Sequence, residues 1–264
     1  GDGSAYGIPA GNPIEIHMRW DDWTDVDQDY DLFLYRYTTD YGWVQAASSY
    51  NDQNGGVGQR PTESIFFTTT AETSAYGFMI MRRDSTRNVN FEVFTPTVPH
   101  LNFYRHDRSL PSLDDAASAM TVGAVDVVSP YPQEPYSSQG PTNGPGGAET
   151  GGFFKPDITA FANVSTVSYG STNFAGTSAA TPHVAGAAAL ALSAHSEYNP
   201  DQLQTFLEGR AIDVGLSGMD TIFGHGRLYL GDLPTTDQAP CLSSITPNTG
   251  ENMDILTVNV SRVN

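Results

Sequence analysis

The stretch "GTSAATPHVAGAAALAL", Gly176–Leu192, decides how this chain is read. From Ala179 onward it is rich in Ala and Leu, strong helix formers that lose little side-chain freedom in a helix. It carries almost no charge, which predicts a helix buried all round rather than an amphipathic one. Pro182 is expected near the first turn, where a missing N–H costs little, and Thr177 or Ser178 is the natural N-cap. Helix N-termini present unpaired N–H groups and the positive end of the macrodipole. A serine hydroxyl held there has two readings. It caps a core helix, or it is a nucleophile beside a ready oxyanion site.

The 264 residues are enough for one large or two modest domains. A net charge of -18, from 30 acidic and 12 basic residues, disfavours nucleic acid and anionic membranes as partners. Cys241 is the only cysteine, so no intrachain disulfide forms. The Ala-rich helix is interrupted by Pro182 and His183 and is not read as a membrane span. Gly1–Gly11 is polar and glycine-rich, without a signal peptide or an initiating Met, so the chain is expected to be a piece of a longer precursor.

Two halves differ in pattern. In the first, Ile14, Ile16, Met18 and Trp20 alternate with Glu15, His17 and Arg19, a half-buried strand over Pro13–Trp20. Further strands are expected at Tyr30–Tyr37, Glu63–Thr69, Ala75–Arg82 and Val89–Thr95, separated by turn clusters such as "NDQNGG" (Asn51–Gly56). Short strands at this spacing predict a β-sandwich or jelly roll. Beyond Leu110 the apolar run Ala119–Val128 reads as a buried parallel strand. A short strand is expected at Ser165–Tyr169. A second helix follows, with Asn199 as N-cap, Pro200 first and Gln202 closing a capping box, its apolar stripe being Leu203, Phe206, Leu207 and Ala211. This order fits the end of an α/β sheet. The tail has a turn, "TPNTG", and one alternating strand, Ile255–Val260.

Gly-Thr-Ser-Ala-Ala-Thr-Pro-His-Val-Ala-Gly, from Gly176, resembles the nucleophile motif of the subtilisin-like serine proteases, the subtilases. The resemblance extends in family order over Leu110–Leu230, through "MTVGAVD" (Met120–Asp126), "YSSQGPT" (Tyr136–Thr142), "KPDITA" (Lys155–Ala160) and "FGHGRLYL" (Phe223–Leu230). It implies that Ser178 attacks the scissile carbonyl and that its N–H is one oxyanion donor, with the Thr177 hydroxyl assisting. It implies structural roles for Ser138, Gly140, Pro141 and His183.

A serine nucleophile needs an imidazole base and a carboxylate to orient it. Subtilases supply these upstream, in Asp-x-Gly and His-Gly-Thr-His contexts. Neither context is expected in this chain, and none of His17, His100, His106, His183, His195 and His225 has the right neighbours. Asn12 follows Ala10-Gly11 as the family's oxyanion asparagine follows Ala-Gly, but Pro13 and a strand come next, and Asn12 reads as a turn residue. The base, its carboxylate and the second oxyanion donor are therefore expected before Gly1. The segment Arg19–Tyr35, "RWDDW…DQDYDLFLY", resembles the pre-peptidase type of jelly roll, here as an insert. Asp21, Asp22, Asp25, Asp27, Asp29 and Asp31 form an acidic cluster that reads either as a solvated loop or as a structural Ca²⁺ site through Asp29 and Asp31.

The expected organisation is a pre-peptidase-like β-sandwich insert over 1–100, the C-terminal part of a subtilisin-like α/β domain over 101–235, and over 236–264 a linker with the start of an immunoglobulin-like repeat. The expected function is that of a fragment of a secreted subtilisin-like endopeptidase, cutting proteins or peptides through an acyl-enzyme on Ser178 and needing no cofactor for its chemistry. By itself the chain is expected to be inactive. The alternative is a non-catalytic extracellular binding or adhesion protein with a relic peptidase fold.

Overall fold

The computed structural model describes residues 7–70, 72–98, 101–111, 113–231, 240–246 and 257–262. They divide into two compact units. One comprises Gly1–His106 with Asn143–Phe153, the other Asp107–Thr142 with Phe154–Asn264.

The first unit is antiparallel β. Its strands are β1 (Pro13–Trp20), β2 (Asp29–Thr38), β3 (Gly42–Ser49), β4 (Thr62–Thr68), β5 (Tyr76–Asp84) and β6 (Phe91–Phe94). They form two three-stranded sheets, ordered β4-β1-β6 and β3-β2-β5. The period-2 pattern of β1 places Ile14, Ile16, Met18 and Trp20 on the buried face, each at most 2% exposed. They share one core with Ile65 of β4 and with Tyr30, Leu32 and Leu34 of β2. The Trp20 indole satisfies its one donor on the Gln28 carbonyl at 3.0 Å and meets Tyr30 edge-on at 5.7 Å.

Strand β3 is absent from the sequence-based expectation. Its register against β2 shifts between Leu34 and Tyr35, a bulge opposite Gln45–Ala47 that breaks strict alternation and blurs the period-2 signal. The segment Asn143–Phe153 also belongs to this unit. Asn143 donates to Glu92, and Glu92 is paired with Arg19.

In the second unit β7 (Val122–Asp126) and β8 (Ile158–Ala162) are parallel, in register from Val122 opposite Ile158 to Asp126 opposite Ala162. The expected strand Ala119–Val128 is thus shorter than its apolar run. The outer edge of β7 is not bare, because Asp126 N–H donates to the Pro132 carbonyl and Glu134 N–H to that of Ala124. The outer edge of β8 is met by the "FGHGRLYL" segment, through Thr159 N–H to Gly226 and Leu228 N–H to Thr159. Gly224 passes so close that a Cβ there would stand 2.3 Å from the Asp157 carbonyl oxygen, which explains the glycine. The expected strand at Ser165–Tyr169 is a hairpin, β9 (Val164–Thr166) with β10 (Gly170–Phe174).

Helix α1 (Thr177–Ala194) packs on β7 and β8. Helix α2 (Pro200–Glu208) begins with the expected box: the Asn199 side chain accepts from Gln202 N–H, and the Gln202 side chain accepts from Asn199 N–H. The expectation that α1 is buried all round fails. Only Ala179, Ala180, Val184, Ala187 and Ala191 are buried, whereas Ala185, Gly186, Ala189, Leu190 and Leu192 are exposed. Composition reports that every face is apolar. How many neighbours come to cover those faces is a tertiary matter. In the tail, β11 (Pro240–Thr246) and β12 (Thr257–Arg262) pair antiparallel, so two strands stand where one was expected. Residues 247–250 of the "TPNTG" turn lie outside the described residues.

Candidate active site

The turn entering α1 is built around glycine. Gly176, with φ 88 and ψ 166, is the N-cap, and no side chain caps the helix. This corrects the assignment of the cap to Thr177 or Ser178. A glycine reaches this positive φ without the Cβ clash that would strain other residues. It turns the chain so that Thr177 and Ser178 enter the first turn as helical residues. Ser178 is exposed and Thr177 half-buried, and the first-turn N–H groups surround them. Pro182 falls in the second turn rather than the first and cannot donate the helical bond to the Ser178 carbonyl.

Gly176 N–H donates to the Tyr136 hydroxyl at 2.9 Å. Buried Glu134 neighbours Tyr136, and each shifts the other. Burial raises the Tyr136 hydroxyl above the ordinary tyrosine range, the Gly176 N–H opposes this, and the Glu134 charge adds to it. Burial first, and then the Asp126 charge, raise Glu134. The Asp126 carboxylate is lowered by the Val128 N–H first and by Asn163 second.

The structural roles implied by the resemblance fall partly on other atoms. Ser137, rather than Ser138, anchors the loop, accepting Ala124 N–H at 2.9 Å from a buried position. Gly140 packs against the Lys155 backbone and donates its N–H to the Thr221 carbonyl. His183 is exposed rather than in the core, its Nδ1 2.7 Å from the Ala179 carbonyl of its own helix. His195 stacks on Tyr198, His225 stands 3.5 Å from Glu208, and His17 is bonded to Ser64; His100 lies outside the described residues. Asn12 spends its amide on the Pro9 and Ala10 carbonyls, as a turn residue does. Against the expectation of none, two Asp-x-Gly strings do occur. Asp40 lies in the β2–β3 turn, and Asp213 accepts Gly218 N–H at 2.8 Å.

The acidic cluster is dispersed over local partners. Asp22 accepts Asp27 and Gln28 N–H and pairs with Arg87, which also reaches Asp21. Asp31 is buried against Arg83 at 3.2 Å. Among the described residues no three His, Cys, Asp or Glu side chains gather as a metal-holding group. Asp29 keeps a buried Oδ1 without a partner and faces Asp84 across the sheet. Burial and the neighbouring Asp31 raise it. A raised folded pKa favours the protonated form, so stability falls as pH rises through it. Asp29→Asn is therefore expected to stabilise the fold at neutral pH in EDTA by about 0.2–1 kcal/mol, for relief of repulsion from the neighbouring carboxylates, and so to raise the melting temperature. If Ca²⁺ bridges Asp29 and Asp31, the same substitution lowers the melting temperature in millimolar calcium, and thermal scans in both buffers read the difference.

The site is an exposed serine at the head of an apolar helix that packs on a parallel sheet. Residues 104–226 match the model of the subtilase family, Peptidase_S8, and form a subtilase-family segment. An extracellular serine protease of Serratia marcescens is 40% identical over 60 residues, 23% of this chain and 6% of that protein. A halolysin-like extracellular serine protease Nep of Natrialba magadii is 45% identical over 65 residues, 25% of this chain and 12% of that protein. The aligned stretches thus span only a small part of either relative. No helix among the described residues is long and apolar enough to cross a membrane.

Proposed function

We propose that this chain is part of a secreted subtilisin-like serine endopeptidase and that Ser178 is its nucleophile. The observation that carries this reading is the uncapped, exposed Ser178 in the first turn of α1, directly after Gly176 at positive φ. Ser178 Oγ attacks the carbonyl carbon of a protein or peptide substrate, and its proton passes to an imidazole supplied by polypeptide outside these 264 residues. The Ser178 N–H, at the positive end of α1, receives the developing oxyanion, with the Thr177 hydroxyl beside it. Collapse of the tetrahedral intermediate leaves an acyl-enzyme on Ser178 and expels the amine, which takes up the proton; water then releases the acid.

The 264-residue chain alone is expected to label with a serine-directed fluorophosphonate no faster than an ordinary alcohol, because a serine at its free pKa is a weak nucleophile. Labelling at Ser178 at a rate typical of serine hydrolases would place the base within this chain instead.

Residues 1–100, the greater part of the first unit, are proposed to be a pre-peptidase-like jelly roll, with the α/β segment over 101–235 and the opening of an immunoglobulin-like repeat over 236–264. One observation favours the non-catalytic alternative. Tyr37 and Trp43 meet edge-to-face at 5.5 Å, both about half exposed, as a surface that binds glycan or protein would have them. An intact natural polypeptide that binds such a ligand but never labels at Ser178 would favour that reading.

A further inference from the structure

The carboxyl ends of β7 and β8 carry a set of polar side chains that the acyl-transfer scheme leaves unused. Asp126 closes β7, and Asn163, at φ 59, follows β8. The Asn163 amide donates to Glu134 Oε1 at 2.7 Å and to Asp126 Oδ2 at 3.0 Å. Asp126 Oδ1 accepts Val128 N–H at 2.6 Å, which holds that carboxylate from the other side. Glu134, 8% exposed, accepts the Asn163 amide and lies close enough to Asp126 and Tyr136 for both to shift its carboxyl. The Tyr136 hydroxyl accepts Gly176 N–H, two residues before Ser178. Two hydrogen-bonded groups, Asp126–Asn163–Glu134 and Tyr136–Gly176, thus meet where Glu134 neighbours Tyr136, between the ends of the strands and the turn that carries Ser178. In open α/β sheets these strand ends are where ligands are handled.

A tyrosine hydroxyl has one hydrogen and can rotate it. To accept Gly176 N–H, its hydrogen must point elsewhere. The neighbouring Glu134 carboxyl offers that acceptor, and Asn163 with Asp126 keeps Glu134 in place. Gly176 is the residue whose unusual φ sets the direction of the first N–H groups of α1. Its peptide is otherwise unrestrained by a side-chain cap, and glycine has the widest conformational choice of any residue.

We propose that Tyr136 is a positioning residue for Ser178: it locks the Gly176 peptide so that the Ser178 Oγ and N–H are held in attacking geometry, with Glu134, Asp126 and Asn163 fixing the orientation of its hydroxyl. This rests on the reading of Ser178 as nucleophile. The role belongs to the bound transition state more than to substrate capture, because it sharpens the oxyanion donor rather than touching the substrate.

The test is a short series in the intact natural polypeptide. Tyr136→Phe keeps the ring and removes the hydroxyl that accepts Gly176 N–H. It is expected to lower kcat about tenfold with KM within about twofold, the size of one lost hydrogen bond expressed in the transition state. Glu134→Leu is expected to match it. Glu134→Gln, whose amide can donate to Asp126 while its oxygen remains an acceptor for Tyr136, is expected to stay within about twofold of wild type. Amide exchange at Gly176 is expected to speed up in Tyr136→Phe and Glu134→Leu, but not in Glu134→Gln. Wild-type kcat and unchanged Gly176 exchange in Tyr136→Phe would overturn the role. So would equal losses in Glu134→Gln and Glu134→Leu that track a fall in melting temperature. Ser178→Ala, run alongside, separates the two failures. Turnover retained by Ser178→Ala fells the nucleophile reading itself; turnover lost by it, with Tyr136→Phe at the wild-type rate, fells only the positioning role.

Discussion

Ser178→Ala in the intact natural polypeptide is expected to abolish peptide-bond hydrolysis, with a loss of several orders of magnitude in kcat, and to leave the fold almost untouched. Catalysis is expected to fall because removing a member of a nucleophile–base unit removes most of what the unit does. Folding is spared for a reason visible only in the turn. A serine that caps a helix costs about 0.5–2 kcal/mol when replaced by Ala, but here Gly176 is the cap and no side chain serves the first turn. The stability change is therefore expected below about 0.5 kcal/mol, the range of surface substitutions away from such features. Steady-state kinetics and a denaturant melt on the same preparation check both halves. Retained turnover would remove Ser178 from the mechanism, and a loss of stability near 2 kcal/mol would restore the cap.

Lys155→Met is expected to be the most damaging single change to the second unit. Lys155 and Asp157 are both buried, at 3% and 5% exposure. Lys155 Nζ lies 2.7 Å from Asp157 Oδ2 and 2.7 Å from the Ala119 carbonyl, and the same Oδ2 accepts Thr121 N–H at 2.6 Å. The pair ties the entry of β7 to the entry of β8. Removing the ammonium leaves a buried carboxylate uncompensated, at a cost of about 3–5 kcal/mol. That is a large share of the whole stability of an ordinary domain. Lys155→Met with Asp157→Leu is expected to recover only part of it, since the Thr121 N–H then has no carboxylate to meet. Denaturant midpoints for the single and double substitutions read this directly. A single substitution that costs under 1 kcal/mol would mean that the pair is solvated in solution.

The parts of the molecule legible without coordinates are those written in adjacent residues. The capping box of α2 needs only Asn199, Pro200 and Gln202, because its donors and acceptors lie within three positions of one another. Strand β1 declares its buried face through a period of two. The motif at Gly176–Gly186 is contiguous, and with it came the family likeness that the match over 104–226 supports for that segment.

What only the tertiary structure decided lies between residues far apart in the chain. Strand β3 was hidden by a bulge whose existence depends on its partner β2. The segment Asn143–Phe153 sits between two motifs of the α/β unit in sequence, yet its contacts place it with the β unit, through Asn143 and Glu92. The set Asp126, Asn163, Glu134, Tyr136 and Gly176 brings together five positions spread over 51 residues of sequence. No local pattern marks it. The apolar composition of α1 determined that it would be a helix without a polar face, but exposure is a property of neighbours, and only packing shows that one stripe of it is covered. Propensity, capping and periodicity act over a few residues and can be read along a line. Burial, like-charge repulsion and the orientation of a hydroxyl depend on which distant groups come within a few ångströms, and that is settled when the chain folds.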